Sequence, residues 1–562
     1  MLLARCGSAV ASAGALLAAL ASGCAEPEPL PLSGVLITID TTNPGALDLY
    51  GEARGITPEL ERLAQRSIVY DRAHTVAPIT LPAHVSMMTG LYPLRHGVRD
   101  NGWARLSEEA ETLAERAQDR GYATAAFVSA VVLGAPYGLD QGFADYSEPR
   151  SGESGPLSHI DQRDSKSVTD AALTWLAQRD EERPFLLWVH YFDPHMPYGA
   201  PKRFLDQANG QPYLAEVAAM DHDIGRLVAA VDASVGEAGY LLGVVADHGE
   251  SFGRHGEPTH SAYAYQATVH VPFLLRFPDG REPGTRSARL VSVVDLFPTY
   301  LDVLGLGDAS RVDGLSLAST PPEATRGVYV ETYSGYLNYG WSPLAGWIDD
   351  SGKYLHSSAP EFYDLGADPD EASDLLASST VDVSAHEAAL ERLAGLPRLR
   401  SGAIELDEAR LAELRALGYA AAGGDVRELP DPLDPSERVA PRARSAQYAQ
   451  FTKALGLAQA GRNPAAIRIL REVLAENPAN LFAAETLASC LLQQQEFDEV
   501  VTLLAPHAQA NRYSTHAYLA TAYENLRRDE DALGHYRAAL QLRPSEPTLS
   551  EAIARVLARL GD

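Results

Sequence analysis

Two near-continuous apolar runs in this chain end in acids. VLITI (35–39) runs into Asp40, and YLLGVVA (240–246) runs into Asp247-His248. Two carboxylates and an imidazole, joined by a hydroxyl, suit a divalent cation such as Mn²⁺, Zn²⁺, Ca²⁺ or Mg²⁺. The hydroxyl on offer is Thr80 in APITLPAHVSMMTGLYP (77–93). That stretch reads as a helix with Thr80 as its cap, Pro82 in the first turn and Gly90 as its stop. A helix start presents unpaired N–H groups and positive dipole character, which can cradle an anion. A free Thr hydroxyl is a poor nucleophile near neutral pH. A cation held by Asp40, Asp247, His248 and Thr80 itself would acidify it and polarise a substrate oxygen. Taken singly, each residue has an ordinary job as a cap or turn residue; it is their shared position at strand ends that points to chemistry.

The elements that must position them are legible as runs. ATAAFV (123–128), PFLLWVHYF (184–192) and VPFLLRF (271–277) join the two acid-ending runs as buried strands. Helix-patterned TPELERLAQRS (57–67) and SVTDAALTWLAQR (167–179) lie between strands. Such alternation predicts an α/β domain with a mostly parallel sheet flanked by helices, and ligands gather at the carboxyl ends of such strands. GVYVETY (327–333) to EFYDLGADPDE (361–371) reads as a smaller α+β appendage. The expected domain spans 34–402, followed by a helix at 405–419 and an acidic Gly/Pro linker that close the 403–441 segment.

From 442 to 562 the pattern is helical. FTKALGLAQAGRNPAAIRILREVLAENP (451–478), LFAAETLASCLLQQQEFDEVVTLLAPHAQ (481–509) and YLATAYENLRRDEDALGHYRAALQLRP (518–544) share a helix–turn–helix plan. Pro478 and Pro544 lie 66 positions apart, about two units of the roughly 34-residue tetratricopeptide period. These segments resemble three tetratricopeptide repeats, an all-α domain that implies a protein or peptide partner. The net charge of -29 argues against nucleic acid as a partner, while a local site can still take a small anionic ester. Arg5 followed by apolar GSAVASAGALLAALASG (7–23) forms an export signal too short to span a membrane convincingly. It ends in Leu20-Ala21-Ser22-Gly23-Cys24, which resembles a bacterial lipoprotein signal (1–24), and AEPEPLPLS (25–33) follows as a tether. The expectation is an exported, lipid-anchored protein at the periplasmic or outer surface. Cys490 is the single cysteine beyond that signal, so neither a disulfide framework nor a cysteine metal site is available.

VLITIDT (35–41), TPELERLAQRSIVYDRAHTVAP (57–78), TGLYPLRHGV (89–98), FDPHMPY (192–198), ADHGESFGRHGE (246–257) and VPFLLRFP (271–278) resemble the sulfatase family of the alkaline phosphatase superfamily. LRALGY (414–419) before repeats resembles a bacterial subgroup that pairs such a domain with a tetratricopeptide tail. The resemblance implies a metal-dependent ester hydrolase. Sulfatases oxidise a Cys or Ser to formylglycine in C/S-x-P-x-R; here the segment is Thr80-Leu81-Pro82-Ala83-His84, so no formylglycine is expected. The T-x-P-x-H, T-G-L-Y-P, H-G and D-N segments are similar to nucleotide pyrophosphatase/phosphodiesterases, which use threonine directly through a phospho-threonine.

What the resemblance implies for single residues follows from these motifs. Asn101 would donate to a phosphoryl oxygen, His84 occupies the place of the sulfatase Arg, and His260 that of a substrate-binding Lys. His195 is a candidate proton donor to the leaving group. One cation site is expected; Asp193 and His195 are the pair that would build a second. His255 matches the family pattern but also suits a structural loop, and His74, His96 and His270 read as packing groups. Glu331, Tyr333 and Tyr339-Gly340-Trp341 are candidates for the pocket wall or for core. A phosphate mono- or diester is the expected substrate class, the alternatives being a sulfuric ester, phosphoryl transfer to an alcohol, or a scaffold with a vestigial site.

Overall fold

VLITI forms the body of β1 (Ser33–Ile39), buried along its whole length. It pairs in parallel with β5 (Phe185–Tyr191) on one side and β6 (Tyr240–Ala246) on the other. Helices cover both faces of these strands, which is why they read as unbroken apolar runs rather than alternating ones. The computed structural model describes residues 31–561 apart from 52–53, 103, 150–162, 320–325, 379–380, 403, 405–428, 511 and 543–546. The expected signal (1–24), most of the tether, the helix at 405–419 and the start of the linker lie outside the described residues.

The main sheet adds β2 (Ile68–His74), β3 (Ala123–Phe127), β4 (Asp145–Ser147), β7 (Phe273–Arg276) and β8 (Thr285–Ser292), in the order β4-β3-β5-β1-β6-β7-β2-β8. All pairs are parallel except those of β7, which runs antiparallel to β6 and β2. The sheet is therefore mostly parallel, as expected. IVYDRAH and TRSARLVS escaped the sequence reading because β8 is an edge strand whose first half is exposed, so charged residues interrupt the apolar pattern. On one side α7 (Pro212–Val235) packs with α1 (Pro58–Ala64), α5 (Ser165–Gln178) and α6 (Lys202–Gln207). A second layer joins α2 (Thr80–Thr89), the short α3 (Pro93–His96), α4 (Leu113–Asp119) and α9 (Leu296–Leu304). A single turn, α8 (Gln266–Val269), precedes β7.

The appendage is a four-stranded antiparallel sheet, β12-β11-β10-β9, built from β9 (Val328–Thr332), β10 (Leu344–Ile348), β11 (Lys353–His356) and β12 (Glu361–Tyr363). α10 (Ser334–Tyr339) links β9 to β10, and α11 (Leu375–Ser378) and α12 (Ser384–Ala394) follow. Three antiparallel helix pairs come after the linker: α13 and α14 (Ser445–Gln459, Asn463–Glu476), α15 and α16 (Leu481–Gln493, Phe497–Leu504), α17 and α18 (Tyr513–Asn525, Asp529–Leu542). A last helix, α19 (Pro547–Leu560), packs on α18.

The repeats do not hang free. Tyr263, Tyr339 and Trp341 of the first domain and Tyr448, Phe451 and Phe482 of the repeats belong to one continuous apolar core. Tyr339 lies 5.3 Å from Tyr448 and 5.6 Å from Phe451, ring centre to ring centre. Tyr339 and Trp341, candidates for a pocket wall, are thus interface core. Calorimetry should show both domains unfolding in one transition. Phe451→Ala should lower stability by about 3–5 kcal/mol, the usual cost of deleting a buried Phe ring. Two separate transitions would contradict this packing.

Candidate active site

The register of β1 against β6 places Ile39 opposite Ala246, so the next residues, Asp40 and Asp247, stand side by side. The Asp247 N–H donates to Ile39 O at 3.1 Å and the Asp40 N–H to Tyr191 O at 3.0 Å, which locks both strand ends. His248 follows with its Nδ1–H donating to Gly249 O at 3.0 Å. That bond leaves the lone pair on Nε2. Nε2 stands 3.6 Å from Asp40 Oδ1, 3.6 Å from Asp247 Oδ2 and 3.4 Å from Thr80 Oγ1. A nitrogen lone pair facing two carboxylates is repulsive.

Both Asp40 oxygens and Asp247 Oδ2 are fully buried without a hydrogen-bond partner among the described residues. Burial, then Asp247 and Glu250, push the Asp40 carboxyl well above its usual range; burial does the same to Asp247. Thr41 is wedged beside them at φ 44°, a strained conformation for a β-branched residue. Its backbone N–H favours the ionised form of both acids. Asp40, Asp247 and His248 lie within ligating reach of one another. Two hard oxygens, an imidazole lone pair and the Thr80 hydroxyl fit a divalent cation, which would relieve the crowding of negative charge.

Thr80 is not the cap of its helix. α2 begins at Thr80 itself, Ile79 is the residue before it, and no side chain of Ile79 or Thr80 closes the end. The acceptor comes from outside: Asn101 Oδ1 takes the Leu81 N–H at 2.9 Å. With Pro82 lacking an N–H and Ala83 bonded to Ile79 O, the helix start retains little beyond the Thr80 amide for an anion. This corrects the expectation of a free N–H cradle. It also frees the Thr80 hydroxyl to face the acids. Gly90 ends the helix at φ 69°, as expected.

His84 is not available to substrate. Its Nδ1–H donates to Thr80 O at 2.8 Å, and its Nε2 accepts from Thr38 Oγ1 at 3.0 Å. Trp188 Nε1–H donates to the same Thr38 oxygen at 3.0 Å. The imidazole is fully buried, and burial pushes it down to about 4, so it stays neutral. His84, His190 and Asp247 form a second grouping within ligating reach. Both His84 nitrogens are occupied, however, and His190 Nε2 instead faces Asp40 Oδ2 at 3.7 Å. These two rings, stacked at 4.8 Å, back the acids from inside the sheet.

His195 and His260 stand at the mouth, each 6% exposed where the acids and His248 are fully covered. The His260 ring lies 4.5 Å from that of His248 and 5.3 Å from that of His195. His260 Nδ1 faces Glu250 Oε2 at 3.4 Å. His195 Nδ1–H donates to Met196 O at 2.6 Å, and burial followed by His260 pushes the ring down to about 3. Its Nε2 therefore carries a lone pair in the resting site and accepts a proton rather than donating one. Asp193 does not join it: Asp193 Oδ2 accepts from the Ser165 N–H at 2.6 Å and faces Glu216. The proposed second-cation pair is not assembled.

Asn101 Nδ2 is buried without a hydrogen-bond partner among the described residues. Its own N–H is held by Asp100 Oδ1 at 2.8 Å. His255 stacks on Tyr265 at 4.0 Å, His74 bonds Gln266, His96 bonds Ser86 of α2, and His270 donates to the Asp71 carbonyl. Glu331 pairs with buried Arg99 (2.8 and 2.6 Å), whose guanidinium sits over Tyr333. The sequence reading missed Glu250, Asn43, His190 and Arg99. Glu250 follows Asp247-His248 in ADHGE, which was its available signal. Asn43 exchanges two 2.7 Å hydrogen bonds with the Glu250 backbone, a contact that spans over two hundred residues and leaves no local trace.

Residues 34–306 match the family model Sulfatase, and 457–523 match Tetratricopeptide repeat. The chain carries a sulfatase-family domain followed by tetratricopeptide repeats. Among relatives of the sulfatase-family domain, the Ulvan-active sulfatase of Formosa agariphila is 25% identical over 405 residues, 62% of this chain and 78% of that protein. Human Arylsulfatase A is 26% identical over 446 residues, covering 64% and 86%. The crystal structure of the phosphonate monoester hydrolase of Agrobacterium radiobacter superposes with a TM-score of 0.54 at 20% identity, covering 64% of this chain and 94% of its own. Members of this family are metal-dependent ester hydrolases.

Titration calorimetry with Mn²⁺ should find an affinity that rises with pH through and above the usual carboxylate range, because protons compete for the raised carboxyls of Asp40 and Asp247. His248→Ala should abolish the binding, and Asn43→Ala should weaken it about 10–100-fold by releasing the Glu250 loop.

Proposed function

We propose that the sulfatase-family domain hydrolyses phosphate mono- or diesters through a phospho-threonine on Thr80. The observation that carries this is the Thr80 hydroxyl, 3.4 Å from the unprotonated His248 Nε2 at the meeting point of Asp40 and Asp247. Asp40, Asp247, His248 and Thr80 would hold one divalent cation, Mn²⁺, Zn²⁺, Ca²⁺ or Mg²⁺. When bound, it supplies Lewis-acid polarisation and a lowered Thr80 pKa.

The chain's own groups do the rest. Thr80 Oγ attacks phosphorus as the ester P–O bond breaks, and the alcohol leaves with the proton that Thr80 gives up. The buried Asn101 Nδ2–H donates to a non-bridging oxygen, and His260 faces the anion from the mouth. Water then attacks the phospho-threonine and gives a proton to His195 Nε2; the P–Oγ bond breaks, His195 passes that proton to the Thr80 oxygen to restore the hydroxyl, and phosphate leaves (a phosphate monoester where the substrate was a diester). The buried surroundings make these donors worth more than in water.

A sulfuric ester is the second reading, favoured by the names of the sulfatase relatives. Thr80 at the place of the family's oxidised Cys or Ser weighs against it. The purified protein, supplied with each cation, should turn over aryl phosphate esters faster than aryl sulfate. Thr80→Ala should lower kcat by at least about 10³-fold, the scale of losing a nucleophile. Digestion after a substrate quench should place phosphate on the Thr80 peptide. Sulfate turnover dominating the panel would overturn the substrate class, and full activity in Thr80→Ala would overturn the nucleophile.

We also propose that residues 1–24 export the chain and that Cys24 carries a lipid anchor, on the strength of the apolar run ending in LASGC. Cys24→Ala should move the protein from the membrane to the soluble fraction; unchanged membrane retention counts against the anchor.

A further inference from the structure

Behind the acids, Trp188, Thr38 and His84 bond one another and the Thr80 carbonyl, and every polar side-chain atom among them is used. His190 is different. Neither of its ring nitrogens has a hydrogen-bond partner among the described residues, and the ring is fully buried. An imidazole carries at least one N–H in any of its forms, and a buried N–H without an acceptor is destabilising.

The sheet fixes where that ring stands. His190 on β5 pairs with Thr38 on β1, so the two side chains share a face. Asp40, two residues past Thr38, still bonds Tyr191 O through its N–H and stays on that face. Stacking on His84 at 4.8 Å and 18° holds the ring plane. Nε2 then faces Asp40 Oδ2 at 3.7 Å, and Oδ2 is itself buried without a donor. The unpartnered donor and the unpartnered acceptor face each other roughly 0.7 Å beyond the usual N–H···O length.

The two oxygens of Asp40 thus face opposite ways, Oδ2 towards His190 and Oδ1 towards His248 Nε2 at 3.6 Å. Asp247 is divided in the same manner: its Oδ1 accepts the His248 N–H at 2.7 Å, and Oδ2 is left to the cluster. Each acid therefore offers the cation site one oxygen. Asp40 Oδ1, Asp247 Oδ2 and Thr80 Oγ1 stand 3.6, 3.6 and 3.4 Å from His248 Nε2. Donors at tetrahedral corners, about 2.0–2.2 Å from a central ion, lie about 3.3–3.6 Å apart, the spacing of a zinc site. Neighbouring donors of an octahedral Mg²⁺ lie about 2.8–3.0 Å apart. Ca²⁺ takes about six to eight oxygens, including both oxygens of a carboxylate. Here one donor is nitrogen, and each acid gives a single oxygen.

We propose that His190 is a positioning residue: its Nε2–H closes on Asp40 Oδ2, fixes Asp40 as a one-oxygen ligand, and so selects a four-coordinate cation of the Zn²⁺ class over Ca²⁺. This rests on the cation site of the reading above, not on which ester is hydrolysed there.

Cation binding to the full-length protein, measured without substrate, is the test. Competition with a chromogenic chelator for Zn²⁺ and titration calorimetry for Ca²⁺ should give a Zn²⁺ preference of at least about a hundredfold. His190→Phe keeps an aromatic ring on His84 and removes the donor. It should lower Zn²⁺ affinity about 10–100-fold and narrow the preference at least about tenfold, because Asp40 regains its second oxygen. Its melting temperature without cation should not fall, since a buried N–H without an acceptor has gone. His190→Gln places an amide N–H where the Nε2–H was and should bind Zn²⁺ within about threefold of wild type. Wild-type Zn²⁺ affinity in His190→Phe overturns the proposal, as does an unmoved Zn²⁺ preference there, or a His190→Gln variant that binds as weakly as His190→Phe. A wild type that prefers Ca²⁺ overturns it too. Where the Phe ring does not fit, His190→Leu takes its place; failure of both to fold assigns His190 to the core alone and overturns the proposal. A wild type that binds neither cation overturns the site itself and the proposal with it. Zn²⁺ binding that His190→Phe weakens and His190→Gln keeps supports the proposal even where no phosphate ester is turned over.

Discussion

Everything at this site follows from packing three carboxylates out of water at neighbouring strand ends. Asp40, Asp247 and Glu250 are all buried, and the charges of Asp247 and Glu250 add to the desolvation of Asp40. Paired and hydrogen-bonded charges are tolerated inside proteins; unpaired ones are costly. Around Asp40 the described residues supply neither a cationic side chain nor a donor within hydrogen-bond distance of its two oxygens. It offers instead a histidine whose lone pair is turned inward. Such an arrangement is stable chiefly as a receptor for positive charge, and the remaining geometry, from the strained Thr41 to the Asn43–Glu250 exchange, keeps it from relaxing.

The same constraint explains the division of the histidines. Those behind the acids, His84 and His190, are fully enclosed and neutral, and they shape the cavity wall. Those in front, His195 and His260, retain a little exposure at the mouth of the site. Six histidine side chains of the sulfatase-family domain (His74, His84, His96, His190, His255 and His270) serve packing or support, so residue type alone is a poor guide to role. His84 and His248 each have Nδ1 held by a backbone carbonyl, but in His84 the second nitrogen is taken as well, by Thr38, whereas in His248 it faces Asp40, Asp247 and Thr80.

The parallel core was legible because β1, β3, β5 and β6 are buried on both faces, and each wrote its position as an apolar run. The acids at their ends were legible for the same reason. The edge strand β8 was not, since exposure lets charge into its pattern, nor was its neighbour β2, whose apolar run is broken by the half-buried Asp71 and Arg72. Thr80 was recognisable as a special hydroxyl, yet its helix position was misjudged: a Thr before a Pro-containing turn looks like a cap, and nothing local says that Asn101, twenty residues on, does the capping. His84 was misassigned by the same kind of blindness, because its partner Thr38 lies on a strand forty-six residues away. The repeats were legible by period, but their attachment to α10 depends on aromatic contacts between segments separated by more than a hundred residues.

The chain of donors that runs from Trp188 through Thr38 and His84 has a direction. Trp188 gives its indole N–H to Thr38, Thr38 gives its O–H to His84, and His84 gives its Nδ1–H to the Thr80 carbonyl. A peptide carbonyl has no proton to hand on, so the chain stops there. No proton therefore reaches Thr80 along this chain from the interior of the sheet. On the proposed mechanism, every proton that Thr80 loses or regains travels through the side of the site where His195 and His260 stand.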